Sequence, residues 1–229
     1  ISIHKAAARG NIEAVKQHLD SGADVNVKQK SRMGREMTPL HYAANKEVAE
    51  LLLAKGADVN AKDDRGRTPL HKVVYLSSRK KEMVELLITK GAEVNAKDGY
   101  GRTPLHWATN KEIAELLIAN GADMNAKSSW DGSTPLHNAA EEGYKGIAEL
   151  LISKGAEVNA KDKDGETPID KAIKRGKEKE EFRRKHHKTQ LRPDEKASLK
   201  ELADLFLKHG GKSGAVDSIV VAYGTRNIE

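Results

Sequence analysis

Between Asp131 and Lys161 the apolar residues fall into two bursts of different character. Leu136, Ala139 and Ala140 recur three and four positions apart, as one stripe of a helix does, and their small side chains let a neighbouring helix approach closely. Gly143 interrupts the pattern, and Ile147, Leu150, Leu151 and Ile152 make a second, more apolar helix. Gly155 ends it, because glycine takes the left-handed conformation without penalty. Asp131-Gly132 supplies a turn ahead of Thr134-Pro135, which opens the first helix; proline suits that position, where its missing N–H would be unpaired anyway. The predicted element is helix, turn, helix, then an extended finger.

The same element recurs. T-P-L-H stands at Thr38, Thr68, Thr103 and Thr134, with T-P-I-D at Thr167, and G-A-[DE]-[VM]-N begins at Gly22, Gly56, Gly91, Gly121 and Gly155. Successive Asn positions (Asn26, Asn60, Asn95, Asn125, Asn159) lie 34, 35, 30 and 34 residues apart, the period of a short stacked helical unit. These strings closely resemble the ankyrin repeat, over residues 2 to 211. The resemblance implies an all-α solenoid of stacked helix-turn-helix units with β-hairpin fingers and a concave face built from finger tips and first helices. Six units are legible, starting near residues 2, 38, 68, 103, 134 and 167; the first begins at Ile3-His4-Lys5 and the last ends with Leu202, Leu205, Phe206 and Leu207 before Gly210.

The units differ in length. From Thr to the terminal Gly the fourth T-P-L-H unit spans 21 residues, and those at Thr38 and Thr103 span 18. Three residues are nearly one helical turn, and Asn45 and Asn110 stand where they can cap the second helix across the deletion. The Thr68 unit is two residues longer, with Tyr75 to Lys80 in its turn, and the first finger, between Asn26 and Thr38, is four residues longer than the ordinary ones. The final unit carries about 22 extra residues, a basic insertion at about 174–196. Pro193-Asp194 is a good helix start, and Ser198-Leu199-Lys200-Glu201 resembles a capping box where the second helix should resume. Upstream, Lys171 to Lys188 either prolongs the first helix or forms a basic loop.

Apolar residues make up 38% of the 229 and aromatics only 4%, which suits a solenoid better than a compact globule. No apolar run approaches the ~18 residues a membrane span requires. The absence of cysteine excludes disulfides and thiolate chemistry. Net charge is +6, but Lys171 to Arg192 holds ten Lys or Arg against three Glu, so basicity belongs to the insertion and the rest is nearly neutral. Its basic patch is Lys174, Arg175, Lys177, Arg183, Arg184, Lys185 and Lys188.

His41, His71, His106 and His137 stand in register, yet copies about one repeat apart cannot share an ion at a metal–nitrogen distance of ~2 Å. The ankyrin resemblance gives them a structural role, hydrogen-bonding the preceding turn. His186-His187 are adjacent rather than four apart, which disfavours a helical zinc pair. No Ser-His-Asp order, glycine-rich phosphate loop or paired-carboxylate constellation is legible, so no enzyme, cofactor or metal is expected. The position after the histidine, which the resemblance turns toward the concavity, holds Tyr42, Lys72, Trp107, Asn138 and Lys171. Finger tips carry Met33 and Met37, read as exposed, then Arg65 and Arg67, Tyr100 and Arg102, and Trp130. Aromatic and arginine residues on one face are the chemistry of interface anchors.

The expected function is non-catalytic recognition of a protein partner on that face, by a chain acting as a monomer. One alternative is anionic-surface or nucleic-acid binding through 171–192, although nucleic acid is not the expected partner; another is a structural spacer within a longer multi-module protein. Ser218 to Glu229 matches Ser2 to Glu13 at six of twelve positions, so 212–229 reads as a linker and the truncated start of a further ankyrin array.

Overall fold

The computed structural model describes residues 2–30, 34–76, 81–186 and 191–212. The 213–229 part of the expected further array lies outside them. The chain divides into an N-terminal half, Ile1–Asp123, and a C-terminal half, Met124–Glu229.

In the N-terminal half the first unit is α1 (Ile3–Ala8) and α2 (Ile12–Asp20), capped by Ser2 and by Asn11, whose Oδ1 accepts from Ala14 N at 2.9 Å. Strands β1 (Gln29–Lys30) and β2 (Glu36–Met37) pair antiparallel, Gln29 opposite Met37. Then follow α3 (Pro39–Tyr42), α4 (Lys46–Ala54), α5 (Pro69–Leu76), α6 (Lys81–Thr89), a single 3-10 turn (Pro104–Trp107) and α7 (Lys111–Ala119). Second helices α4, α6 and α7 all keep nine residues, whereas α3 and the 3-10 turn have four against eight in α5. The deletions therefore shorten the first helix, and Asn45 and Asn110 restart the second, accepting from Val48 N at 3.0 Å and Ile113 N at 3.1 Å.

Burial follows the repeat. Val48 and Leu52, Leu70 and Val74, Val84 and Leu87, and Ile113 and Leu117 are all almost wholly inaccessible. Each such side chain contributes about 1.5–3 kcal/mol relative to exposure, so stability is spread over the interfaces between successive units.

Two polar latches set the register. His41, His71 and His137 receive their own threonine's backbone N–H at Nδ1 and donate from Nε2 to the carbonyl just before the next unit's threonine: His41 to Arg67 at 3.0 Å, His71 to Arg102 at 3.0 Å and His137 to Glu166 at 3.1 Å. The histidine thus holds the end of the preceding turn through Nδ1, as expected, and the following turn through Nε2. Each repeated Asn bridges to the next unit's G-A-[DE] loop: Asn60 Nδ2 donates to Gly91 O at 3.0 Å, and its Oδ1 accepts from Glu93 N at 2.9 Å. The longest finger holds the β pair. Shorter fingers close by Asp63 N–H to Arg67 O and Asp98 N–H to Arg102 O, and they stack through Gly99 N–H to Arg65 O at 2.7 Å.

The C-terminal half contains α8 (Pro135–Glu142), α9 (Lys145–Ser153), α10 (Pro168–His186) and α11 (Pro193–Lys208) around Leu136, Leu151, Ile169, Leu202 and Phe206. Gly143 ends α8 at φ 78, the left-handed conformation expected of it. The insertion prolongs the first helix: α10 runs 19 residues without interruption, and Leu191 is buried ahead of α11. Helix α11 starts at Pro193, where Glu195 accepts from Arg192 N at 2.9 Å. The predicted capping box at Ser198 is therefore corrected, since its hydroxyl bonds Asp194 O inside the helix. In the sixth unit Asp170 takes the histidine's place, accepting from Thr167 N and Oγ1, while Asn159 latches Gly210 and Lys212 as its counterparts latch their next loops.

Candidate protein-recognition surface

Two aromatic–cation clusters lie on the first-helix side of the N-terminal half. In one, Lys72 Nζ stands 4.3 Å from the centre of the Tyr42 ring and 3.3 Å from Met37 Sδ, and the His4 ring meets Tyr42 edge-on at 5.8 Å. In the other, the Arg102 guanidinium lies 5.6 Å from the Trp107 ring and 6.0 Å from that of Tyr100, and Tyr75 meets Trp107 edge-on at 5.4 Å. Such stacking orients long cationic side chains and keeps aromatic area at the surface.

The sequence candidates divide accordingly. Tyr42, Arg102 and Trp107 are half-buried and belong to the clusters; Tyr100 is exposed at its finger tip. Met37 was expected to be exposed and is not: it is 4% accessible, because the β2 register turns it under Lys72. Arg65 is exposed, but Arg67 is committed to its own finger, its Nη2 and Nε lying 2.6 and 3.0 Å from Asp63 Oδ2. Burial alone would raise the Asp63 carboxyl, but hydrogen bonds from Arg67 outweigh it and hold it below the usual range. Trp130, in the C-terminal half, is the most exposed large hydrophobic side chain among the described residues, at 69%. Met33 lies outside the described residues. Sequence reasoning missed Tyr75, 55% exposed beside Trp107, and Lys5, although I-H-K in the first unit is the counterpart of L-H-Y and L-H-W.

Burial lowers the pKa of His4, His41, His71 and His137, that of His41 to about 4, against smaller opposing effects of their carbonyl partners. They are neutral imidazoles; His41, His71 and His137 have both nitrogens engaged, which suits a latch and leaves no lone pair for a metal, and His4 holds two carbonyls through Nε2. Asp162, Asp164 and Glu166 bring three carboxylates together, but Lys171 Nζ sits 2.8 Å from Asp162 and 2.9 Å from Glu166. Among them the ammonium already supplies the positive charge.

Four cations of the basic patch already face carboxylates. Lys174 bonds Glu166 at 3.0 Å, Arg183 meets Glu195 at 2.8 Å, Lys185 meets Glu181 at 2.9 Å and Arg175 approaches Glu178 at 3.7 Å; Lys177 and Arg184 enter no ion pair among the described residues, and Lys188 lies outside them. Phe182, 56% exposed, stacks on His186 at 4.3 Å. No helix of the described residues is long and apolar enough to cross a membrane.

Comparison with known proteins agrees with this architecture. A family model described as ankyrin repeats (3 copies) matches residues 3–98, 46–128 and 109–181, and the chain belongs to the ankyrin-repeat family. It is similar to cyclin-dependent kinase 4 inhibitor B of Bos taurus, 45% identical over 67 residues, 29% of this chain and 50% of that protein. It is also similar to human Rabankyrin-5, 36% over 83 residues covering 30% of this chain and 7% of that one, and to the Caenorhabditis elegans homologue of transient receptor potential cation channel subfamily A member 1, 42% over 73 residues covering 30% and 6%. The chain thus spans half the length of the first relative and under a tenth of the others. Membership in a family of generally non-catalytic modules supports a protein–protein interaction role.

Proposed function

We propose that this protein is a non-catalytic recognition scaffold that holds a protein partner on the first-helix and finger side of its N-terminal half, with Tyr42, Tyr75, Tyr100, Arg102 and Trp107 as contact residues. The observation that carries the reading is the pair of aromatic–cation clusters on neighbouring units. Each presents bulky side chains already held in place by their neighbours, so little conformational freedom remains to be lost on binding. The latches beneath supply rigidity without using the exposed groups. Binding of an anionic surface through the insertion gains less support, because Lys174, Arg175, Arg183 and Lys185 already face carboxylates.

The test is to isolate a partner, then compare the wild-type chain with Trp107→Ala and Tyr75→Ala and with Glu50→Ala and Glu115→Ala on the second helices. Contact residues should cost more than about 1 kcal/mol of binding free energy, and second-helix changes much less. Equal effects from both sets would refute the assignment.

A further inference from the structure

The residues one place beyond the histidine in the four units of the N-terminal half read Lys5, Tyr42, Lys72 and Trp107: cation, aromatic, cation, aromatic. Their helices are neighbours in that order, α1 packing on α3, α3 on α5 and α5 on the Pro104–Trp107 turn. Lys5, Tyr42 and Lys72 line one groove of about 520 Å³, completed by Lys30 and Arg35 of the first finger and by Met37 beneath. Four of its lining residues are Lys or Arg, and among the described residues no carboxylate lines it. The remaining titratable group, His4, is kept neutral by burial, with Nε2 bonded to the carbonyls of Val27 and Met37. Lys5 and Lys30 enter no ion pair among the described residues.

Helices in contact lie about 8–10 Å apart, and a polyproline II segment advances ~3.1 Å per residue with three residues per turn, so three residues cover one repeat and every third side chain faces the groove. Lys5 and Lys72, two repeats apart, then correspond to six residues, with Tyr42 midway. Resting on the recognition reading above, we propose that this groove holds an extended acidic segment of a protein partner, with two carboxylates six residues apart on either side of an apolar side chain that packs against the half-buried Tyr42. A single-stranded nucleic acid fits less well. Base stacking needs open ring faces, and here Lys72 sits over Tyr42 and Arg102 over Trp107. Charge complementarity of this kind acts chiefly on encounter and specificity, and it is screened by salt.

The probe is a labelled nine-residue peptide containing Glu-x-x-Leu-x-x-Glu in a glycine/serine background, titrated by fluorescence anisotropy against the whole chain. Controls are the same composition with the glutamates three apart, the lysine-for-glutamate peptide, and an oligothymidylate of equal length. The matched peptide should bind at least fivefold better than every control and weaken as salt is raised. Lys5→Glu with Lys72→Glu should lower its affinity at least tenfold, and Lys46→Glu, on a second helix, by under twofold. If Lys72→Glu disturbs folding by circular dichroism, the exposed pair Lys5→Glu and Lys30→Glu replaces it. Absence of binding at millimolar peptide, indifference to spacing or charge reversal, or preference for the oligothymidylate would overturn the proposal. A partner lost on Trp107→Ala yet indifferent to salt and to the lysine variants would leave the recognition reading standing and refute this one alone.

Discussion

Acidification should loosen the stack well before its carboxylates titrate. His41 Nδ1 accepts from Thr38 N–H and lies 2.9 Å from Thr38 Oγ1, while Nε2 donates to Arg67 O. A proton added at Nδ1 would set N–H against N–H inside a site 4% accessible, which is why burial lowers this group from 6.5 to about 4. The folded pKa is depressed, so the histidine's contribution is complete above 6.5 and is lost as pH falls toward 4: the unfolded chain takes up the proton first and is stabilised by it. From these two values, His41 alone removes about 2 kcal/mol by pH 5 and about 3 kcal/mol by pH 4. His4, His71 and His137 shift the same way and add to the loss. For a chain of this length 1 kcal/mol corresponds to about 2–4 °C in Tm, so His41 alone implies a fall of about 4–8 °C between pH 7.5 and 5. Urea unfolding at pH 7.5, 6 and 5, with the imidazole of His41 followed by NMR, measures both terms. A folded-state pKa above 6, or stability unchanged between pH 7.5 and 5, would refute the latch argument.

Two substitutions test other parts of the scaffold by urea unfolding at pH 7.5. Gly22 and Gly66 both have positive φ, +84 and +72, but a Cβ at Gly22 meets nothing within 4 Å, whereas one at Gly66 would lie 2.8 Å from Gly99 N. Gly22→Ala should cost about 1 kcal/mol from conformation alone, and Gly66→Ala at least twice that; equal costs would show that the fingers separate easily. Lys171→Ala should destabilise the C-terminal half by about 2–4 kcal/mol, because it leaves the wholly inaccessible Asp162 carboxylate without its cation. A loss under 1 kcal/mol would mean that the N–H groups of Asp164 and Glu166 suffice for it.

Local strings with local consequences were legible in the chain. T-P-L-H announces an N-cap, a proline in the first turn and a small-residue helix; the glycine after each apolar burst ends it; and Asn45 and Asn110 cap across deletions that their neighbours reveal. Each depends on contacts within a few residues, so the period alone reports the family and the all-α architecture. The long-range partners were not legible. That the histidine reaches the next unit's carbonyl, that Met37 turns under Lys72, that Arg67 spends its charge on Asp63 and that the insertion continues as helix α10 with Lys174 and Arg183 paired to Glu166 and Glu195 all depend on which groups meet after stacking. The proposed recognition surface is the same kind of case. Lys5 and Lys72 are 67 positions apart in the sequence and line one groove, because the stack of first helices brings equivalent positions side by side at intervals of about 10 Å. Spacing along the chain determined which residues are equivalent, and packing between units decided which of them stay exposed, which pair and which meet.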